Sequence, residues 1–246
     1  MNTLIRTEVL KLRTIRSPWL ILGAVPLIVI VGISGLVIAG FDTRNPAGQQ
    51  STALTHVGLG ALLTLMFGIV AMAGEYRHRT ITDTYLTTPA RGRVVAAKLI
   101  VCAAIGLLSA LVATAVGLIT TAVWWSAKGF PFSWSNADMW RTAAGGVAWE
   151  AAFAAIGVGL GALLRNLVGA IAASLAWIAL VEGLVGQLVG NFARWLPFSA
   201  GRALGASATA GSADLLPRWG GGTVLAVYAV AFAVAAVTVS VRRDVA

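Results

Sequence analysis

The sequence predicts an all-α membrane protein with six transmembrane helices. Three observations carry this. The 246-residue chain is 58% hydrophobic and only 11% charged, whereas a soluble domain has about 25% charged residues. Six apolar runs, 18–40, 56–74, 94–125, 142–164, 167–190 and 221–241, are each long enough to cross a hydrocarbon core of about 30 Å at a rise of about 1.5 Å per residue. Lipid offers backbone groups no partner, and no period-two alternation marks a barrel, so the runs must be helical.

Residues 1–17 carry Arg6, Lys11, Arg13 and Arg16 ahead of the first run. That run is too long for a signal-peptide core and lacks a small-residue cleavage site, so it reads as a retained span. Pro26 within it predicts a bend or a loosened turn. Between the second and third runs lies a polar segment, 75-EYRHRTITDTYLTTPARGR-93. Thr80 followed by Asp83 fits a capping box, and Pro89 disfavours helical geometry at Thr88. The expected helix covers 81–87, with Ile81 and Tyr85 at i, i+4 as an exposed apolar ridge. Two isolated turns are not stable in water. Either the ends of the adjoining spans and a partner hold this helix, or the segment is a solvated basic loop.

The third run holds the single cysteine, Cys102. No disulfide within the chain can form and no Cys/His metal cluster is available. The fourth run contains Glu150 and the small-residue series Gly157, Gly159 and Gly161; the fifth contains Glu182, Gly183 and Gly186. Gly157 and Gly161 fit small-xxx-small helix packing. A carboxylic acid at mid-membrane costs about 2.5–3.5 kcal/mol on insertion scales. Glu150 and Glu182 should therefore face the bundle interior, water or a partner, either as cation, polar-substrate or proton sites or as structural hydrogen-bonding groups. Residues 191–219 are too polar for a seventh span, with Arg194, Pro197, Arg202, Asp214, Pro217 and Arg218. Phe192, Trp195, Leu196, Phe198 and Leu204 make them too apolar for a free loop, so two short segments dipping into the outer leaflet are expected. Nothing divides 1–246 into separate domains.

The net charge of +9 does not imply nucleic acid, because the basic residues gather at the ends of the apolar runs. Six spans put both termini on one side. That side carries twelve Lys and Arg residues and the other six, so both termini and residues 75–93 are expected in the cytoplasm. Trp124, Trp125, Trp134 and Trp140 fall at the opposite ends of spans 3 and 4, as an interfacial aromatic belt would. Arg far outnumbers Lys, and Ala, Gly and Val dominate; this usage points to a high-GC bacterial genome and hence to the inner membrane.

Catalytic patterns are missing from the sequence. No lysine follows a glycine, so no P-loop exists. His56 and His78 lie at opposite ends of span 2, and no H-E-x-x-H motif or nucleophile beside a base is present. The chain itself is predicted to be no enzyme, with no cofactor or metal of its own.

The layout Glu75, Arg79-Thr80-Ile81, Leu86, Pro89, Arg91 and Lys98 resembles the inner loop of the type-2 ABC-transporter permease family, with Arg79 where Gly is usual. The start, 3-TLIRTEVLKLRTIRSPW-19, resembles that family's amphipathic entry helix. The stretch 194-RWLPFSAGRAL-204 resembles its outer re-entrant segment, and 240-SVRRDVA-246 its Arg-rich tail. The resemblance implies one transmembrane domain with an entry helix (1–17), a cytoplasmic coupling-helix loop (75–93) and an outer re-entrant region (191–219). It also implies a separate ATP-binding subunit that holds the ATP and Mg, and a second permease copy, most simply identical. Glu75, Ile81, Asp83, Tyr85 and Leu86 would lie in or near the ATPase contact. Arg77, Arg79, Arg91 and Arg93 would form rim pairs or meet lipid phosphates. Glu150 and Glu182 are candidates for the translocation path, on which the resemblance is silent. The resulting reading is the permease subunit of an ATP-driven exporter. A secondary transporter or channel built on Glu150 and Glu182, and a non-transporting membrane scaffold, remain open beside it.

Overall fold

A computed structural model gives the fold of residues 1–185, 188, 190–208 and 215–242. Gly186, Asp214 and the tail from Arg243 onward lie outside the described residues. The chain runs through α1 (Asn2–Thr14), α2 (Arg16–Ala39) and α3 (Pro46–Leu54), then a 3-10 turn (Thr55–Gly60) into α4 (Ala61–Arg77). The short α5 (Thr80–Thr87), the long α6 (Arg91–Ala127), α7 (Ala137–Leu164) and α8 (Leu167–Ala176) follow. The last continues as a π-helix (Trp177–Val185), and a 3-10 turn (Gly190–Trp195), α9 (Pro197–Leu204) and α10 (Arg218–Arg242) complete the fold. Six of these helical stretches are long and apolar enough to cross a membrane, and no strand occurs among the described residues.

Side-chain caps fix several boundaries. Asn45 accepts the N–H of Gly48 at 2.9 Å with Pro46 in the first helical position, a pairing that satisfies one free donor and presets the backbone. Asn136 accepts from Met139 at 3.2 Å and Asn166 from Gly169 at 2.9 Å. Arg165 ends α7 in the left-handed region, φ 52°, with its N–H on the Gly161 carbonyl.

The second span begins at Pro46 rather than at the expected residue 56. Its first turns hold buried Gln49, Gln50 and Ser51, which look like loop residues but are bonded internally. Gln49 Nε2 donates to the Gly40 carbonyl at 2.9 Å, and Gln50 Nε2 to that of Ser133 at 3.0 Å. Helix α2 is assigned unbroken through Pro26.

The centre of the bundle is the α4/α7 pair, the most extensive helix contact in the chain. Small residues let their backbones approach: a Cβ on Gly68 would come within 2.2 Å of the Ala154 carbonyl oxygen, and one on Gly157 within 2.2 Å of that of Leu65. Around this pair stand α2, α6, α8 and α10, whose outward faces expose Leu27, Val31, Leu108, Ile119, Val168 and Val230, as lipid-facing helices do.

At the end opposite the N terminus, Arg218 draws three segments together. It pairs with Asp138 and donates to Thr142 Oγ1 and the Ala206 carbonyl. The tryptophans there divide into two groups. Trp134 and Trp140 are exposed, but Trp125 is fully buried against Phe41, with ring centroids 5.0 Å apart. Trp125 is therefore a core residue and not part of an interfacial belt.

Candidate functional site

The end of the bundle that carries the N terminus holds the densest polar construction in the chain. Helix α5 is reached from α4 by a tight turn in which Arg79 takes the N-cap position with φ 59°. This left-handed geometry disfavours any side chain and suits glycine. The expected capping box does not form, since α5 has no side-chain cap and the Thr80 hydroxyl turns back to the Glu75 carbonyl at 3.5 Å. Its place is taken by the turn itself, which puts Thr80 inside the helix. The C-terminal stop falls at Thr87, just before Thr88 and Pro89.

The expected exposed ridge of Ile81 and Tyr85 is corrected. Both side chains are buried, Ile81 at 1% exposure and Tyr85 at 7%, in a cluster with Val94 and Tyr76. The i, i+4 stripe seats α5 on its own spans, which explains how two turns persist. Burial holds the Tyr85 phenol pKa above its ordinary value, and the Arg91 guanidinium lies 5.4 Å from the centre of its ring. The free face carries other residues. Thr82, Asp83 and Leu86 are exposed, Leu86 at 76%.

Beneath α5 lies a buried ion network. Lys98, at the cytosol-predicted end of α6, donates to both Glu8 and Glu75, the latter at 2.9 Å. Lys11 donates to Glu8 at 3.0 Å, to Glu75 at 3.1 Å and to Thr84 Oγ1 at 3.0 Å. Glu8 and Lys98 are 3% and 2% exposed. Two acids and two bases thus form a neutral set joining α1, α4, α5 and α6, the condition under which buried charges are tolerated. Glu75 faces inward, into this network. Glu8 escaped sequence analysis. Its signal was slight: an acid three residues before Lys11 in an otherwise basic segment, the spacing of neighbours on one helix face.

The two intramembrane acids lie apart from this end. Glu150 is fully buried, and neither carboxyl oxygen has a hydrogen-bond partner among the described residues. It packs beside Val25 and Gly60, where a Cβ on Gly60 would lie 2.5 Å from Oε1. Glu150 thus faces the bundle interior, the placement expected of an acid in a span. Glu182 lies on the π-helix and caps α9. It accepts the N–H of Phe198 at 2.9 Å, the N–H of Ser199 at 2.8 Å and the Ser199 hydroxyl at 3.2 Å. Of the two roles expected for Glu182, these bonds are those of a structural hydrogen-bonding group, its oxygens serving the start of a helix whose N–H groups need acceptors. It also forms one wall of a cavity of about 440 Å³, otherwise mainly apolar, with Phe153, Trp177, Tyr228 and Phe232.

Of the residues picked out from sequence, then, Glu75, Ile81 and Tyr85 hold α5 in place from within, while Asp83 and Leu86 face away from the protein. A family model described as ABC-2 family transporter protein matches residues 4–181. The match begins within α1 and runs through α8, including the network and α5. A comparison with curated proteins found no match.

Proposed function

Because the chain belongs to the ABC-2 transporter family, we propose that it is the permease subunit of an ATP-driven exporter whose energy enters through the outward face of α5. A separate ATP-binding subunit, carrying the ATP and Mg, seats on Asp83 and Leu86. Two copies of this chain face each other in the inner membrane, with both termini cytoplasmic. ATP draws the two ATP-binding subunits together, α5 moves with them, and the spans shift between inward- and outward-facing access. The work comes from the different affinity of the assembly for ATP in its two states.

The observation that carries this reading is the division of α5 into a seated face and a free one. A two-turn helix held from behind by Ile81, Tyr85 and a buried ion network, and presenting a 76%-exposed leucine beside an acid, has the form of a docking element. The reading of a secondary transporter built on the two acids is weakened by the capping role of Glu182. The test is co-purification. Leu86→Glu combined with Asp83→Arg should leave the chain folded and membrane-inserted but abolish capture of its ATP-binding subunit. Undiminished capture and ATP hydrolysis in that variant would refute docking through this face.

A further inference from the structure

We infer that the groove between α2 and α6, open at its α1 end, is a binding site for one anionic phospholipid of the leaflet that holds the N terminus, with Arg13 and Arg6 meeting the phosphate and one acyl chain lying along the groove. This site is independent of the docking role of α5. Two recesses make up the groove. The first, of about 370 Å³, is walled by Ile5, Val9 and Arg13 of α1, Trp19 of α2, and Ile100 and Ile105 of α6. The second, of about 290 Å³, shares Trp19, Ile105 and Leu108 with the first and continues past Gly23 and Pro26 of α2 and Val112 of α6. Arg13 is the only charged residue in either lining, so the groove is mainly apolar along its length and basic at its α1 end.

The length of the groove fits a chain in one leaflet. From Ile100 to Val112, α6 advances about 18 Å at a rise of about 1.5 Å per residue, against about 15 Å for half of a hydrocarbon core of about 30 Å. The groove is also open. A Cβ on Gly23 would meet nothing within 4 Å, and Ile100, Leu108 and Val112 are half exposed. Apolar recesses hold water poorly, whereas a chain that fills one gains the contacts a void forfeits. The α1 end fits a phosphate. Arg6 lies in a shallow recess that shares Ile5, Val9 and Arg13 with the groove. Arg6 and Arg13 are two helical turns apart on one face of α1, and both are exposed. Neither side chain makes an ion pair or a hydrogen bond among the described residues, and Glu8, the one acid of α1, accepts from Lys11 and Lys98 instead. Guanidinium groups bind phosphate oxygens in pairs, and basic residues on an amphipathic helix at the membrane surface draw anionic headgroups. Trp19, whose indole N–H donates to the Leu12 carbonyl at 2.8 Å, stands between head and chain, at the level where an interfacial indole belongs.

The test is photolabelling of the full chain in phosphatidylcholine nanodiscs that contain a small fraction of phosphatidylglycerol with a diazirine in one acyl chain. A matched set carries the same diazirine chain on phosphatidylcholine. Mass spectrometry locates the labelled residues, with Val230, an exposed residue of α10, as the measure of bulk lipid. Relative to Val230, the anionic probe should label residues 19–26 and 100–112 severalfold more than the zwitterionic probe does. Arg6→Gln combined with Arg13→Gln should bring the two probes level. Gly23→Leu, which puts a side chain into the open space, should lower labelling of 100–112 by both probes and leave the Tm of the chain unchanged. Equal labelling of the parent by the two probes, or a preference that survives the double arginine variant, would overturn the site. So would protection of 19–26 and 100–112 from both probes in the parent, the result expected if a second copy of this chain covered the groove. Should Gly23→Leu fail to fold, the arginine variants decide. No ATP-binding subunit is present in these measurements, so failure of the docking reading leaves their outcome standing.

Discussion

Glu182 shows how a single intramembrane acid can be accounted for by helix geometry. Its two oxygens meet two backbone N–H groups and one hydroxyl at the start of α9, so its role is that of a helix cap. Glu182→Gln keeps one acceptor and should cost about 0.5–2 kcal/mol, the range for losing a cap. Glu182→Leu leaves the α9 donors without partners and should lower thermal stability further, as melting curves in detergent would show. Equal stability of the Leu and Gln variants would contradict the capping role. Glu150 invites a different test. A Cβ on Gly60 would lie 2.5 Å from Glu150 Oε1 and 2.6 Å from Val25 Cγ1. Gly60→Ala should therefore destabilise the fold, and Glu150→Ala should relieve part of that loss. The two changes should be non-additive by about 0.5–3 kcal/mol, the range for residues in contact. Strict additivity would mean that the two do not touch. At Arg79 the left-handed backbone costs about 1–2 kcal/mol for a side chain, while glycine adds about 0.5–1 kcal/mol of unfolded-state entropy. Arg79→Gly should accordingly be neutral or mildly stabilising, and Arg79→Val clearly destabilising.

At the scale of the element, α5 has two faces with separable roles. Ile81→Ala opens a hole in a buried cluster and should cost about 2–5 kcal/mol, read as a loss of thermal stability in the chain alone. Leu86→Ala removes a side chain that touches little and should leave that stability unchanged. If Ile81→Ala proved as harmless to the isolated chain as Leu86→Ala, the seating of α5 would be wrong. This division also marks what the sequence could disclose. The i, i+4 spacing of Ile81 and Tyr85 and the stop before Pro89 are local signals, and the stop fixed the helix end at Thr87, while the start, expected at Ile81 from a capping box that does not form, lies one residue earlier at Thr80. Which side the ridge faces depends on Tyr76 and Val94, brought there by the ends of two spans, and no local pattern encodes that. The six spans were legible because burial in lipid is written in composition. The first turns of the second span were not, because Gln49, Gln50 and Ser51 satisfy their polar groups against residues distant in sequence. Glu8 was hidden for the same reason, since its partner Lys98 is a separate helix away. Gly157 and Gly161 were readable as a packing stripe, while Gly68, which meets Gly157, needed the fold.

For the whole molecule, the arrangement of charge argues for one orientation in the membrane. By sequence, the side expected to hold the termini, residues 75–93 and residue 165 carries twelve basic residues, and the other side six. The positive-inside tendency then predicts a cytoplasmic α5, where an ATP-binding subunit would have to meet it. In a Cys102→Ala background, Thr82→Cys and Ser135→Cys are both exposed positions at opposite ends of the bundle. A membrane-impermeant maleimide applied to intact cells should label the cysteine at 135 and spare that at 82, and permeabilisation should expose the latter. Labelling at 82 but not at 135 in intact cells would reverse the orientation. It would also remove α5 from the compartment that holds ATP, so the docking role would fall.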